Sequence, residues 1–192
     1  IYTPITRNAL AVALTEAFRS NGPVAIRYPN GYEDPAIVNA FYGNAVPCGI
    51  GVRNNYIHHP SDNAEHLDSV LITHGRIVKE AMAAADFLAT QSHRMGILLL
   101  EQLKPYAEVA GQVAALLPKK ECKIVFLEEE IRAGGMGMML SDLLVRQYPE
   151  QMANKSMTIL APEESFVVRD RDESIYITAG VSAEQILAAL EK

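Results

Sequence analysis

The sequence contains only two cysteines, and their positions exclude several kinds of protein. Cys48 and Cys122 lie far apart, so they form neither the closely spaced pairs of a zinc site nor a disulfide framework. Disulfide-rich secreted domains are excluded on the same ground. The cysteine pattern therefore predicts a reducing, cytoplasmic location.

Long apolar runs and clusters of basic residues are also missing. No run reaches the roughly 18 apolar residues that a membrane-spanning helix requires, and no signal peptide opens the chain. The formal net charge is −6, and the lysines and arginines are dispersed. We therefore expect no nucleic-acid partner and no membrane-binding patch.

The composition that remains is that of an ordinary globular protein. Hydrophobic residues make up 49% and charged residues 21% of 192 residues. This length is sufficient for one domain, or for one domain and a fragment of another. Because the chain opens on Ile1 in the middle of structured-looking sequence, we expect it to be cut from a longer polypeptide.

Strand and helix patterns alternate regularly from residue 68 onward. Short apolar runs separated by helices of 10–15 residues are typical of βαβ units. We predict an α/β fold: a three-layer α/β/α domain with a mainly parallel, five-stranded sheet. The predicted strands are Ser69–Thr73, Gly96–Leu100, Lys123–Leu127 and Met157–Leu160, with a further strand or hairpin arm in Cys48–Ile57. The predicted helices of this region are Arg76–Ala89, Pro105–Leu117, Gly137–Tyr148 and Ala183–Glu191.

The first part of the chain follows a different pattern. A helix over Thr6–Arg19, with Thr6 as its N-cap, precedes a strand over Val24–Tyr28. Gly31–Pro47 has no clear periodicity and is interpreted as a linker. We therefore predict three parts: residues 1–30 as the tail of one domain, 31–67 as a linker with an inserted loop, and 68–192 as a second domain.

Three carboxylates and a glycine turn follow the strand Lys123–Leu127. Gly134, Gly135 and Gly137 favour a tight strand-to-helix turn, because the third glycine of a dinucleotide-binding motif is replaced by Leu140. Glu128, Glu129 and Glu130 could supply a general base or metal ligands, but we interpret them as solvated or interface charges near a helix N-terminus. The predicted role of Glu128, Glu129 and the three glycines is therefore in a turn or an interface.

The histidines and Arg27 are the remaining candidates. His58, His59, His66, His74 and His93 lack a spacing that would bring two of them to one metal, so no metal site is predicted. His74 differs because it follows a predicted strand. Arg27 ends a predicted strand and either binds a phosphate or carboxylate or anchors the linker through an ion pair.

Several of these segments together resemble a known family. Residues 22–31 (Gly-Pro-Val-Ala-Ile-Arg-Tyr-Pro-Asn-Gly) resemble the end of the pyrimidine-binding domain of the 1-deoxy-D-xylulose-5-phosphate synthases. The sequences at 71–75 (Leu-Ile-Thr-His-Gly), 102–105 (Gln-Leu-Lys-Pro), 128–129 (Glu-Glu) and 133–137 (Ala-Gly-Gly-Met-Gly) are similar to the C-terminal, transketolase-type domain. The resemblance covers nearly the whole chain.

The resemblance implies a function that this chain performs only as part of a larger enzyme. Thiamine diphosphate and magnesium would be bound by the N-terminal and pyrimidine domains, whose motifs are absent here, so no cofactor and no catalytic residue are expected in this chain. The partners implied are those two domains and a second subunit of a homodimer. The domain would then have a structural and dimerisation role in isoprenoid precursor synthesis.

One position departs from the family pattern. The synthases carry a second arginine where Asn30 stands, and that arginine resembles a contact to the substrate phosphate. Arg27 and Asn30 are accordingly the predicted substrate-binding residues. The alternatives are the equivalent domain of a transketolase or of a 2-oxoacid dehydrogenase β subunit, and a free-standing, non-enzymatic α/β interaction module.

Overall fold

A computed structural model describes residues 1–43, 51–56, 66–164 and 175–191. In chain order its elements are α1 (Arg7–Arg19), α2 (Pro35–Phe41), β1 (Val52–Tyr56), β2 (Ser69–Thr73), α3 (Val78–Thr90), β3 (Met95–Leu100), α4 (Tyr106–Leu116), β4 (Cys122–Leu127), α5 (Met136–Gln147), α6 (Pro149–Met152), β5 (Lys155–Leu160), α7 (Ile175–Thr178) and α8 (Ala183–Glu191). Within these ranges, no helix has the length and apolar character needed to span a bilayer.

The strands form one five-stranded sheet in the order β1-β3-β2-β4-β5. β2 pairs in parallel with both β3 and β4, and β4 pairs in parallel with β5. β1 pairs antiparallel with β3 at the edge of the sheet. The predicted mainly parallel, five-stranded α/β sheet is confirmed.

Helices cover both faces of this sheet. Alternating strand residues point to opposite faces, so Leu71 of β2 packs with α3 and α8, whereas Val70 and Ile72 pack with α4 and α5. All five residues of β2 and all six of β3 are buried. Strands buried on both faces consist of continuous apolar runs, which is why β2, β3 and β4 could be predicted from sequence.

The strand order creates a crevice at the carboxyl end of the sheet. The chain passes from β2 to β3 on one side, then crosses to β4 on the other side of β2. The helices that follow β2 and β4 therefore cover opposite faces and diverge. Ligands of open α/β sheets bind at such topological switch points. In this chain the residues just after β2 and β4 surround the crevice.

Residues 31–67 contain more regular structure than a linker. Asp34 caps α2 by accepting a hydrogen bond from the N–H of Ala36, and Pro35 occupies its first turn. Ile37 and Phe41 bury one face of α2. β1, also in this range, completes the sheet. The Asp-Pro pair was the available signal for α2, but seven residues are too few for a clear helical period.

The predicted helix at the start is confirmed, whereas the predicted strand Val24–Tyr28 is wrong. Thr6 caps α1 by accepting from the N–H of Ala9. Ile26 forms only an isolated bridge to Tyr2, which also bridges Gln102. A strand needs a paired neighbour along its length, and among the described residues the backbone of this segment pairs only with Tyr2.

Candidate functional site

A cavity of about 280 Å³ opens at the switch point. The turn after β2 forms one wall, the turn after β4 another, and residues 27–30 a third. The N–H of Arg27 donates to the Tyr2 carbonyl over 2.9 Å, and the N–H of Thr3 donates to the Glu101 carbonyl over 2.7 Å. These bonds connect the Arg27 segment to the residues just after β3 and hold it over the end of the sheet.

His74, Glu130 and Arg27 form a chain of polar contacts at this cavity. His74 is 3% exposed, and its Nε2 lies 3.0 Å from Oε2 of Glu130. Arg27 Nη1 donates to the other carboxylate oxygen, Oε1. Burial opposes ionisation of Glu130, but the contacts with His74 and Arg27 outweigh it and lower its pKa to about 2. Because an ionised carboxylate only accepts, His74 Nε2 carries the hydrogen in this bond.

Glu128 lies beneath the start of α5, in a different environment. Its side chain is buried, and the N–H of Gly137 lies 3.3 Å from Oε1 and 3.4 Å from Oε2. Burial raises the pKa of Glu128 to about 7, against the effect of these backbone donors. The expectation of a solvated charge was therefore wrong for Glu128, because a sequence does not show which of three adjacent carboxylates faces the core.

The glycines at the turn permit a close approach of backbone to this carboxylate. Gly134 has φ = 73°, a conformation that favours glycine, and Gly135 precedes α5 as its N-cap. A Cβ atom at Gly135 would lie 2.5 Å from Oε2 of Glu128, and one at Gly137 would lie 2.9 Å from Cβ of Phe126. These glycines lie in the turn and the first turn of the helix. Their predicted part in an interface stays a prediction.

Glu129, the middle one of the three adjacent carboxylates, faces the cavity. Glu129 is exposed and accepts a hydrogen bond of 2.9 Å from the Tyr176 hydroxyl at Oε1. Burial, together with the Glu129 charge, raises the pKa of Tyr176, so the phenol stays protonated and donates. Three consecutive carboxylates thus have three roles: one in the core, one bonded to a tyrosine and one in an ion pair.

Arg76 provides a second guanidinium at the cavity. Its Nη1 donates to the backbone carbonyl of Asn30 over 2.9 Å. Gly31 has φ = 112°, and a Cβ there would lie 3.2 Å from Arg76 Nη1. The approach of residues 30–31 to this side chain therefore depends on glycine.

The structure brings together most of the predicted site residues. Arg27, Asn30, His74, Glu129 and Glu130 meet around the cavity or its walls. Sequence reasoning missed Arg76 and Tyr176. The position of Arg76, directly after the His74-Gly75 turn at a strand end, was a usable signal. Tyr176 lay in a stretch with no clear pattern.

A buried carboxylate elsewhere was also missed. Glu101 is fully buried just after β3, where it accepts hydrogen bonds from the Tyr42 hydroxyl (2.6 Å) and Arg53 Nε (2.7 Å). Burial and the Glu101 charge raise the pKa of Tyr42, so this phenol also remains a donor. These hydrogen bonds link the end of α2 to β1 and to the residue that follows β3. They lie outside the residues that line the cavity.

The described residues do not assemble a metal site. Across residues 1–43, 51–56, 66–164 and 175–191, no group of three or more histidine, cysteine, aspartate or glutamate side chains is placed to hold a metal ion. His93 contacts the Ser69 hydroxyl at 2.9 Å, and Ser69 is buried at the opposite, amino end of β2. His58, His59 and Cys48 lie outside the described residues. Cys122 is a buried free thiol whose pKa is raised by burial.

Comparison with known proteins identifies the domain. The family model "Transketolase, C-terminal domain" matches residues 63–186. The chain is 25% identical to 1-deoxy-D-xylulose-5-phosphate synthase of Syntrophotalea carbinolica, over 99% of this chain and 27% of the relative. It is 30% identical to the synthase of Synechococcus sp., over 75% of this chain and 21% of the relative. The chain thus spans about a quarter of the length of these curated relatives.

Solved structures with a similar fold are transketolases. A split-gene transketolase, described as an inactive beta4 tetramer, has a TM-score of 0.70 at 19% identity and covers 99% of this chain and 56% of its own. Transketolase of Pichia stipitis in complex with sedoheptulose 7-phosphate has a TM-score of 0.64 at 14% identity, covering 99% of this chain and 24% of its own. Because the family model matches more than half of the chain, this chain belongs to the transketolase C-terminal domain family.

Proposed function

We propose that this chain is the C-terminal part of a thiamine-diphosphate-dependent 1-deoxy-D-xylulose-5-phosphate synthase. Such an enzyme joins a two-carbon unit from pyruvate to glyceraldehyde 3-phosphate for isoprenoid precursor synthesis. The proposal is supported by curated relatives that carry this name and align over nearly the whole chain. A homodimeric, cytoplasmic enzyme is part of the proposal.

One geometric observation carries the proposal: the segment around Arg27 and Asn30 lies over the carboxyl end of the sheet, beside His74. Two segments far apart in sequence thus form a polar cavity of about 280 Å³ at the topological switch point. In the proposed enzyme the residues that line this cavity form one wall of the substrate cleft. Arg27 and Asn30 remain the proposed substrate-binding residues, while Glu130 and His74 hold the Arg27 guanidinium in place.

The cofactor would be held by other domains. The described residues provide no carboxylate cluster that would ligate magnesium, so they do not fit the diphosphate end of the cofactor. Its chemistry, formation of the two-carbon nucleophile, would take place on domains preceding this one. This chain would contribute packing surface, a subunit interface and one side of the cleft.

The proposal predicts different behaviour for the chain and for the whole enzyme. Calorimetric titration of the 192-residue chain with thiamine diphosphate and magnesium should give no binding heat. The full-length product of the gene that contains this chain should form carbon dioxide and a phosphorylated ketose when pyruvate and glyceraldehyde 3-phosphate are supplied together. Micromolar cofactor binding by the chain, or a full-length protein inactive with these substrates, would contradict it.

The same assay separates the alternative enzyme. Asn30, which replaces the arginine of the synthase pattern, favours a transketolase-type relative with a different acceptor. A transketolase would consume a ketose phosphate such as xylulose 5-phosphate in place of pyruvate. Transfer from the ketose donor to an aldehyde acceptor, without activity on pyruvate, would identify that alternative. Inactivity with both donors would favour a 2-oxoacid dehydrogenase β subunit or a non-enzymatic module.

A further inference from the structure

The two guanidinium groups at the cavity have different partners. Arg27 is neutralised by Glu130, whose second oxygen is bonded to His74. Arg76 donates to a neutral backbone carbonyl, that of Asn30, and within the described part of the chain it forms no ion pair. The positive charge of Arg27 is therefore compensated by a direct ion pair, whereas Arg76 has no carboxylate at ion-pair distance among the described residues.

The carboxylate that lines the cavity beside Arg76 is hydrogen-bonded to a tyrosine and forms no ion pair with Arg76 among the described residues. Glu129 also lines the cavity, but its Oε1 accepts the Tyr176 hydroxyl, and its Oε2 lies on the side of Gly75, 4.0 Å from where a Cβ would stand. One hydrogen bond to Asn30 uses one of the five N–H groups of a guanidinium. Donors of Arg76 thus remain for a ligand that enters the cavity.

The backbone on both sides holds Arg76 in position. Arg76 lies between the Gly75 turn, with φ = 73°, and the first residues of α3. On the other side, Gly31 lets the Asn30 carbonyl reach the guanidinium. A side chain held in this way loses little freedom when a ligand binds, which favours affinity.

We propose that Arg76 binds the anionic group of a small ligand in this cavity, and that the Asn30 carbonyl orients its guanidinium. Planar guanidinium groups bind phosphate and carboxylate through paired N–H donors. A cavity of about 280 Å³ accommodates a ligand of a few carbon atoms. The inference rests on the proposed function for the identity of that ligand, a phosphorylated aldehyde, and adds Arg76 to Arg27 as a residue that contacts its phosphate.

Binding to the 192-residue chain tests this directly. Titration with inorganic phosphate and with glyceraldehyde 3-phosphate, followed by amide NMR shifts, should perturb residues 28–31 and 74–77. Arg76→Leu should weaken both by roughly tenfold to a hundredfold, since a charge-assisted hydrogen bond is lost. Arg146→Leu, which removes an equal charge from an exposed ion pair on α5, should leave affinity unchanged. Pyruvate, titrated in parallel, distinguishes carboxylate from phosphate recognition.

A second variant and the whole enzyme keep the test decisive. Arg76→Lys keeps the charge without the paired donors and should bind with intermediate affinity, which covers the case in which the leucine variant fails to fold. In the full-length enzyme, Arg76→Leu should raise KM for glyceraldehyde 3-phosphate and leave KM for pyruvate unchanged.

The inference is overturned if the wild-type chain binds neither anion, if folded Arg76→Leu binds as well as wild type, or if Arg146→Leu loses as much affinity. Arg76-dependent phosphate binding in a protein without synthase activity would refute the proposed function but support this site. Synthase activity that is unchanged by Arg76→Leu would support the proposed function but refute this site.

Discussion

At the scale of single residues, adjacent carboxylates are set apart by what surrounds them. Glu130 lies between His74 and Arg27, and its pKa falls to about 2. Glu128, two positions earlier, is enclosed by the core and the start of α5, and its pKa rises to about 7. The first remains charged throughout the physiological range, while the second changes its charge within that range.

Glu128 should make the chain less stable as pH rises. Its raised pKa means that the folded state keeps a proton up to about pH 7, whereas the unfolded state releases it near the ordinary value of 4.5. Unfolding therefore releases a proton between these values, and stability falls across that window. Glu130 acts in the opposite sense and at lower pH. Its contribution to the stability of the folded state is lost as the pH falls from about 4.5 toward 2.

The prediction is that Glu128→Gln removes much of the fall in stability between pH 4.5 and 7. Glutamine has the same shape but no charge, so the variant should gain stability at pH 8 relative to wild type, on the order of a few kcal/mol, and little at pH 4.5. Urea unfolding at the two pH values measures this difference. Glu121→Gln, at an exposed position, is the control, and an equal effect of that change would refute the assignment.

At the scale of elements, the contact of α5 with the sheet depends on a glycine, which has no side chain. Gly137, in the first turn of α5, lies over β4 and β5. A Cβ there would stand 2.9 Å from Cβ of Phe126 and 3.0 Å from Cγ2 of Ile159. The helix therefore approaches the sheet more closely than an alanine at this position would permit, and Glu128 is enclosed by that approach.

We expect Gly137→Ala to destabilise the chain despite the better helix propensity of alanine. The propensity gain is about 1 kcal/mol, whereas overpacking a rigid core costs roughly 1–3 kcal/mol and here involves both strands and Glu128. The net loss should be about 1 kcal/mol or more in denaturant unfolding. Gly22→Ala, where a Cβ would meet nothing within 4 Å, should change stability little. A stabilised Gly137→Ala variant would contradict this close contact.

At the scale of the whole molecule, the first helix exposes large apolar side chains on one face. Ala9 and Ala13 face the core, but Leu14 is 45% and Phe18 is 89% exposed. Leu10, Leu14, Ala17 and Phe18 recur at helical spacing and share one apolar face of α1, yet the described chain covers little of it. We interpret this face of α1 as the surface that packs on the preceding domain of the proposed enzyme.

Phe18→Ser should therefore have little effect on the stability of the 192-residue chain and a large effect on that of the full-length protein. In the 192-residue chain the side chain is already exposed, so the melting temperature should change by no more than about 1–2 °C. In the full-length protein a buried aromatic side chain would be lost, and a destabilisation of roughly 3 kcal/mol is expected. Ala13→Ser, at a position buried in both, should lower stability in both. Equal behaviour of Phe18→Ser in the two proteins would refute the docking of α1.

The sequence by itself determined the elements whose pattern is local. β2, β3 and β4 are continuous apolar runs, and α1 and α8 carry a cap or a clear helical period. The first and last residues of these five elements could therefore be predicted to within a residue or two. α2 and the failed strand at 24–28 could not, because a short helix has little periodicity and a strand exists only with a neighbour. The glycine turn after β4 was expected, but not that Glu128 turns inward.

Only the tertiary structure decided which side chains meet. Arg27 and Glu130 are 103 residues apart, and Arg76 and Asn30 are 46 apart. Their pairing follows from the strand order, which brings the ends of β2 and β4 together, and from the bonds of residues 1–3 that carry the Arg27 segment to the same place. Local sequence preferences contain no information about such long-range contacts, because they arise from the packing of the whole sheet.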